Sequence, residues 1–172
     1  WQPTSWRELL EISKEVAYAL HAIGVRPGDV ASIIANAVPE WVHVDMGILC
    51  AGGVSSGIYP TDASSQVEYL VNDSRTKVIF AEDEEQLDKI LACRARCASL
   101  QRIIVFDMEG LSGFSDDMVM SLDEFRALGR NHMVGREALW QEMIDSRSAG
   151  DLAILVYTSG TTGPPKGAMH AN

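Results

Sequence analysis

"VASIIANAVPEWVHVDMGILCAGGVSSGIYP", residues 30–60, decides the fold. Val30–Asn36 is a short, mostly apolar run, and Pro39 follows where the first turn of a helix loses nothing by lacking an N–H. The stretch from Pro39 to Gly52 reads as a helix, and Val54–Pro60 reads as a second strand. Strand, helix, strand, with the first strand apolar on both faces, calls for a sheet covered on both sides.

Upstream, Ser5 and Glu8 have capping-box spacing, and Leu9, Val16, Leu20 and Ile23 recur at helical intervals until Gly24 supplies a stop. "RPGD" then turns the chain into Val30. Downstream the theme repeats. "SSQVEYLVNDS" reads as a helix, "KVIFAE" as a strand, "EEQLDKILACRARC" as a helix and "RIIVFD" as a strand. From Met108 to about Ser121 the pattern lapses into Gly, Ser, Asp and Met, a surface excursion, before "SLDEFRALG" and "REALWQEMIDS" resume as helices. "SRSAGD" is a loop, and "LAILVYT" is a last strong strand. The expected architecture is α/β: a doubly wound, mainly parallel, twisted sheet with helices on both faces.

Composition narrows the function classes. The 172 residues are 47% apolar and carry a formal charge of −10, so the overall field repels polyanions and disfavours nucleic acid as a partner. Any phosphate site must be local. The three cysteines, Cys50, Cys93 and Cys97, are an odd number without a signal-peptide pattern, pointing to free thiols in a reducing, cytoplasmic setting. Cys93 and Cys97 have no histidine near them in sequence, so they read as small core residues and no metal site is expected. The uncharged stretch inside Met46–Asp62 is broken by glycines and falls short of a membrane span. No basic amphipathic helix supports docking at a membrane surface, although peripheral contact stays open. The chain opens on Trp1 rather than methionine and reads as a piece of something longer.

At the carboxyl end of "LAILVYT" stands "YTSGTTGPPKGAMHAN", residues 157–172. In open α/β sheets, that end of a strand is where ligands bind. Ser159, Thr161 and Thr162 supply hydroxyls, Gly160, Gly163 and Gly167 let a ligand approach the backbone, and Lys166 supplies a compact positive charge. Pro164 and Pro165 restrict the loop and reduce the entropy lost when it orders. The lysine stands third after Gly163 and is followed by Gly167, which excludes the Walker loop; no G-x-G-x-x-G opens a helix after the first strand, which excludes the dinucleotide fingerprint.

"YTSGTTGPPKG" resembles the phosphate-binding loop of the adenylate-forming (AMP-binding) enzyme superfamily, which includes acyl-CoA synthetases, peptide-synthetase adenylation domains and luciferases. The resemblance extends through "GVRPGDVASIIAN", "PEWV", "AGGVSSGIYPT", "VNDSRTKVIF" and "DLAILVYTSGTTG", in the family's order and over essentially the whole chain. "GIYPT" with "EYLVNDS" is most similar to the long-chain fatty acyl-CoA ligases.

The resemblance implies that residues 1–172 are the first part of a large N-terminal AMP-binding domain, with its downstream part and a C-terminal domain absent. It implies an ATP-dependent acyl-CoA synthetase that joins a carboxylate to AMP and passes the acyl group to CoA, with ATP, Mg2+ and CoA as cofactors. Thr158, Ser159, Gly160, Thr161, Thr162, Gly163 and Lys166 would hold the β and γ phosphates, Lys166 steadying the departing pyrophosphate. No magnesium carboxylate is identifiable, and the 172-residue chain alone is expected to be inactive.

Two other readings stay open: an adenylation domain that loads a carrier protein, and a non-catalytic truncated relative acting as a binding module. Acyl chain length and oligomeric state are not readable. His170 and Asn172 allow two alignments: a local shortening that makes them the family's His and Asn, or a strand position for His170, which is preferred. Asn36 and Trp41 are expected to shape the strand-to-helix turn, and Asp151 to be a cap. His21 and His43 are placed in helices and His132 in a polar loop, without a triad neighbour.

Overall fold

The computed structural model describes residues 3–158 and 163–171. In chain order it contains α1 (Trp6–Ala22), β1 (Val30–Ile34), α2 (Pro39–Cys50), β2 (Val54–Ile58), α3 (Ser64–Ser74), β3 (Val78–Ala81) and α4 (Glu84–Leu91). Then come β4 (Arg102–Val105), β5 (Val119–Ser121), α5 (Leu122–Met133), α6 (Glu137–Asp145), β6 (Leu152–Thr158) and β7 (Lys166–Ala171).

Local signals account for the boundaries. Ser5 caps α1 in a reciprocal box with Glu8, and Ser121 caps α5 in the same way with Glu124. Asp83 accepts from the Gln86 amide at the start of α4, which carries Glu84 and Glu85 in its first turn and Lys89 in its last, matching the helix dipole. Pro39 opens α2 as expected.

The described strands form one seven-stranded sheet in the order β5-β4-β3-β1-β2-β6-β7. All neighbours are parallel except β6 and β7. The chain moves from β1 to β2 on one side and returns to β3 on the other, which is the doubly wound pattern. Two apolar cores lie on the two faces. Val16, Leu20, Ile33, Val44, Phe80 and Phe125 join α1, α2 and α5 to one face. Ile34, Val67, Val71, Ile79, Leu87 and Ile103 join α3 and α4 to the other. Phe80 meets Phe125 edge-on at 5.6 Å between centroids, tying β3 to α5.

Four expectations need correction. The helix read over 84–97 stops at Leu91, and Arg94–Arg96 form a 3-10 turn. Arg96 is drawn to Glu68 on α3 at 2.6 and 2.8 Å, and Arg94 pairs with Asp116 at 2.7 Å, so the segment bends toward its partners while Cys93 and Cys97 stay buried. The excursion of 108–121 ends in a short edge strand, β5, whose three half-buried residues, Val119, Met120 and Ser121, are too few to show a strand pattern. "SLDEFRALG" does not end at Gly129, because α5 runs on to Met133. There a Cβ would lie 1.9 Å from the Glu15 carbonyl oxygen, so this glycine serves close contact with α1 instead of ending the helix. His132 accordingly lies in α5, not in a loop.

Candidate functional site

Strand β6 enters the sheet beside β2, with Ser55 aligned to Ile154 and Ser56 to Leu155. It leaves at Thr158, and β7 returns antiparallel with Thr158 opposite Lys166, Tyr157 opposite Gly167, Val156 opposite Ala168 and Ile154 opposite His170. Thr158 and Lys166 are therefore the last paired residues of a β-hairpin. Directly opposite residues share a face and neighbours along a strand alternate. Thr158, Lys166, Val156 and His170 thus lie on the α2 side, and Tyr157 and Gly167 on the α3 side.

Thr158 and Lys166 are both exposed, and among the described residues Lys166 has no ion pair. Gly163 has φ +99°, a left-handed conformation that favours glycine. Ser159, Gly160, Thr161 and Thr162, expected to complete the cradle, lie outside the described residues, as do Trp1, Gln2 and Asn172. A hydroxyl and an ammonium opposite each other at a loop mouth form a donor set suited to an anion, so the described part fits a polyphosphate. Magnesium is different. Among the described residues no group of three or more His, Cys, Asp or Glu side chains could hold a metal ion.

Two clefts flank the hairpin. On the α2 side, Trp41, Tyr59, Ile154 and Val156 line an apolar hollow of about 240 Å³. On the α3 side, Tyr59, Asp62, Gln66, Tyr69 and Tyr157 line another of about 340 Å³ that reaches Thr158 and Pro165. Burial raises the pKa of the Asp62 carboxyl, against the lowering effects of the Tyr59 backbone and Lys89. Tyr69 and Asp73 stand out here without any signal in the local pattern: the Tyr69 hydroxyl donates to the Pro165 carbonyl at 2.8 Å, and the Tyr157 hydroxyl donates to Asp73 at 2.7 Å. Burial, then the neighbouring Asp73, raises the pKa of the Tyr157 phenol, keeping it a neutral donor.

The residues assigned structural parts take them. Asn36 donates from its backbone and side-chain amide to one Glu82 oxygen, at 2.6 and 2.8 Å, joining the carboxyl ends of β1 and β3. Trp41 covers Gly57 at the start of α2, with ring carbon Cζ2 3.8 Å from where a Cβ would stand. Asp151 accepts from the Ser148 amide and hydroxyl, at 2.8 and 3.0 Å, and these bonds hold its carboxyl below the usual range. His170 occupies β7, the strand position preferred above. The cysteines are free thiols, and burial pushes Cys93 up to about 12.

A doubly wound parallel sheet with this hairpin at its edge is the N-terminal domain architecture of adenylate-forming enzymes. The sequence profile of the family described as "AMP-binding enzyme" matches residues 1–172, and the chain belongs to that family.

Curated relatives include the long-chain-fatty-acid–CoA ligase ACSBG1 of Rattus norvegicus, 31% identical over 169 residues, which are 98% of this chain and 23% of the relative. The ACSBG2 ligase of Homo sapiens is 28% identical over 98% of this chain and 25% of its own length. The chain thus spans about a quarter of these relatives. Among solved structures, the anthranilate CoA ligase AuaEII in complex with anthranoyl-AMP superposes with a TM-score of 0.75 at 25% identity, covering 96% of this chain and 29% of that one. The A domain of a carboxylic acid reductase from Segniliparus rugosus, in complex with AMP and a co-purified carboxylic acid, shares the fold with a TM-score of 0.76 at 23% identity, over 99% of this chain and 28% of that one. Among the described residues, no helix is long and apolar enough to cross a membrane.

Proposed function

We propose that residues 1–172 are the first part of the N-terminal domain of an AMP-forming carboxylic acid:CoA ligase acting on a long-chain fatty acid. The observation that carries this reading is the pairing of Thr158 with Lys166 across the mouth of a loop rich in glycine and hydroxyls, at the carboxyl end of a sheet strand. The kinship with long-chain-fatty-acid–CoA ligases supports the choice of acid and of CoA as acceptor.

A carboxylate oxygen leaves badly, so the acid is first joined to the α-phosphate of ATP, releasing pyrophosphate, and the CoA thiol then displaces AMP. The Lys166 ammonium offsets charge that develops on the departing pyrophosphate, an electrostatic contribution placed before the reaction begins. Thr158 donates to a phosphate oxygen from the same face, and the residues between them, Ser159–Gly163, supply backbone and hydroxyl donors. With a net charge of −10 on the chain, phosphate binding depends on this local cation. Magnesium would neutralise further phosphate charge when bound.

The test is pyrophosphate release by the full-length protein given ATP, CoA and a panel of carboxylic acids. Release dependent on long-chain fatty acids, with an acyl-CoA product, is expected. Release with amino acids or aromatic acids alone would reject the fatty-acid assignment, and no release with any acid would reject the ligase.

A further inference from the structure

We propose that Tyr69 and Asp73 of α3 are positioning residues that clamp the two stems of the phosphate loop from behind and so set where Lys166 stands. The proposal rests on the phosphate-loop reading of residues 158–166.

Tyr69 and Asp73 are four residues apart on one helix and therefore share a face. Tyr69 donates to the carbonyl of Pro165, the residue directly before Lys166, at 2.8 Å. Asp73 accepts from the hydroxyl of Tyr157, the residue directly before Thr158, at 2.7 Å. The entry and exit of the loop are thus tied to the same turn of α3, by contacts between residues 84 and 96 positions apart in sequence.

Tyr157 is held from its other side as well. Its ring lies across Gly167, where an added Cβ would stand 3.2 Å from ring carbon Cζ, close enough that the ring would have to give by a few tenths of an ångström. Aromatic cover over a strand glycine of this kind pins strand register. The two sides of the hairpin divide the work. Tyr157 and Gly167 face α3, whereas Thr158 and Lys166, the next residue along each strand, alternate away from them, with Thr158 also bordering the α3-side cleft.

The consequence is preorganisation. A lysine on a free hairpin must lose backbone and rotamer freedom when it meets an anion, and anchoring the carbonyl beside it removes part of that loss beforehand. The clamp acts on ATP, because the stems carry Thr158 and Lys166.

The experiment is carboxylate-dependent ATP–pyrophosphate exchange by the full-length ligase, with ATP and acid varied separately, alongside thermal unfolding. The variants are Tyr69→Phe, Asp73→Ala, Asp73→Asn and Lys166→Ala. Loss of one hydrogen bond corresponds to a change of about three- to tenfold. Tyr69→Phe and Asp73→Ala are expected to raise the KM for ATP by that factor, with the KM for acid and the Tm near parental. Asp73→Asn is expected to stay near parental, since its amide oxygen still accepts from Tyr157. A parental ATP KM in Tyr69→Phe beside a raised one in Lys166→Ala would overturn the clamp and leave the phosphate loop standing. A parental value in Lys166→Ala would remove the phosphate-loop reading and the clamp with it. Equal rises in both KM values, a loss that tracks a fall in Tm, or an Asp73→Asn as impaired as Asp73→Ala would each reduce the two residues to ordinary structural parts.

Discussion

Gly129 shows how much one residue can decide. As the last residue of an apparent helix it reads as a stop, yet it lies within α5 against the backbone of α1. Gly129→Ala adds a favourable helix former but drives a methyl into the Glu15 carbonyl, which belongs to a rigid helix and cannot move aside cheaply. We expect a net loss of about 1–3 kcal/mol, read from urea unfolding; a gain in stability would show that the two helices separate without cost. The thiols make a second prediction at this scale. Cys93 and Cys97 are buried, and burial raises both pKa values, so neither thiolate is available in the folded protein. A disulfide-forming dye should leave both unreacted in native buffer and label all three cysteines in denaturant.

At the scale of elements, α1 and α5 meet through two different polar contacts. Glu15 accepts from Arg126 and Arg130, and His21 hydrogen-bonds His132 at 3.1 Å with the rings stacked. Both imidazole pKa values are lowered: burial is the first cause for each, followed for His21 by His132, Arg26 and Arg136, and for His132 by Arg136. Because the folded pKa values lie below the unfolded one, the unfolded chain binds more protons, and stability must fall as pH drops below the ordinary imidazole value of 6.5. Urea midpoints should hold steady above that pH and decline below it, less steeply in His132→Gln. A midpoint that rises on acidification would contradict the geometry of the pair.

The same helices show what the sequence makes readable. Strands β1, β3 and β4 are nearly continuous runs of buried apolar residues, and capping residues mark the starts of α1, α4 and α5, so their type and order are legible. β7 is not. Five of the six residues in "KGAMHA" are exposed, so no burial pattern distinguishes the strand from a loop. His132 is misread for a related reason, since the extension of α5 past Gly129 depends on contact with α1. In the site, the loop string is legible because its glycines, hydroxyls and lysine are adjacent. Tyr69 and Asp73 are invisible locally because what they touch lies 84 or more positions away.

Across the whole molecule, an acidic α/β domain carries a hairpin that presents a hydroxyl and a lysine opposite each other, with α3 bracing the hairpin through Tyr69 and Asp73. The central claim is that Lys166 grips the polyphosphate of ATP. Its most direct test is ATP–pyrophosphate exchange by the full-length protein and its Lys166→Ala variant, titrated separately in ATP and in fatty acid. Removing a charge-assisted contact corresponds to a change of about ten- to hundredfold. A rise of that order in the KM for ATP, with the KM for acid near parental, is the predicted result. Exchange identical in variant and parent at every ATP concentration would contradict it.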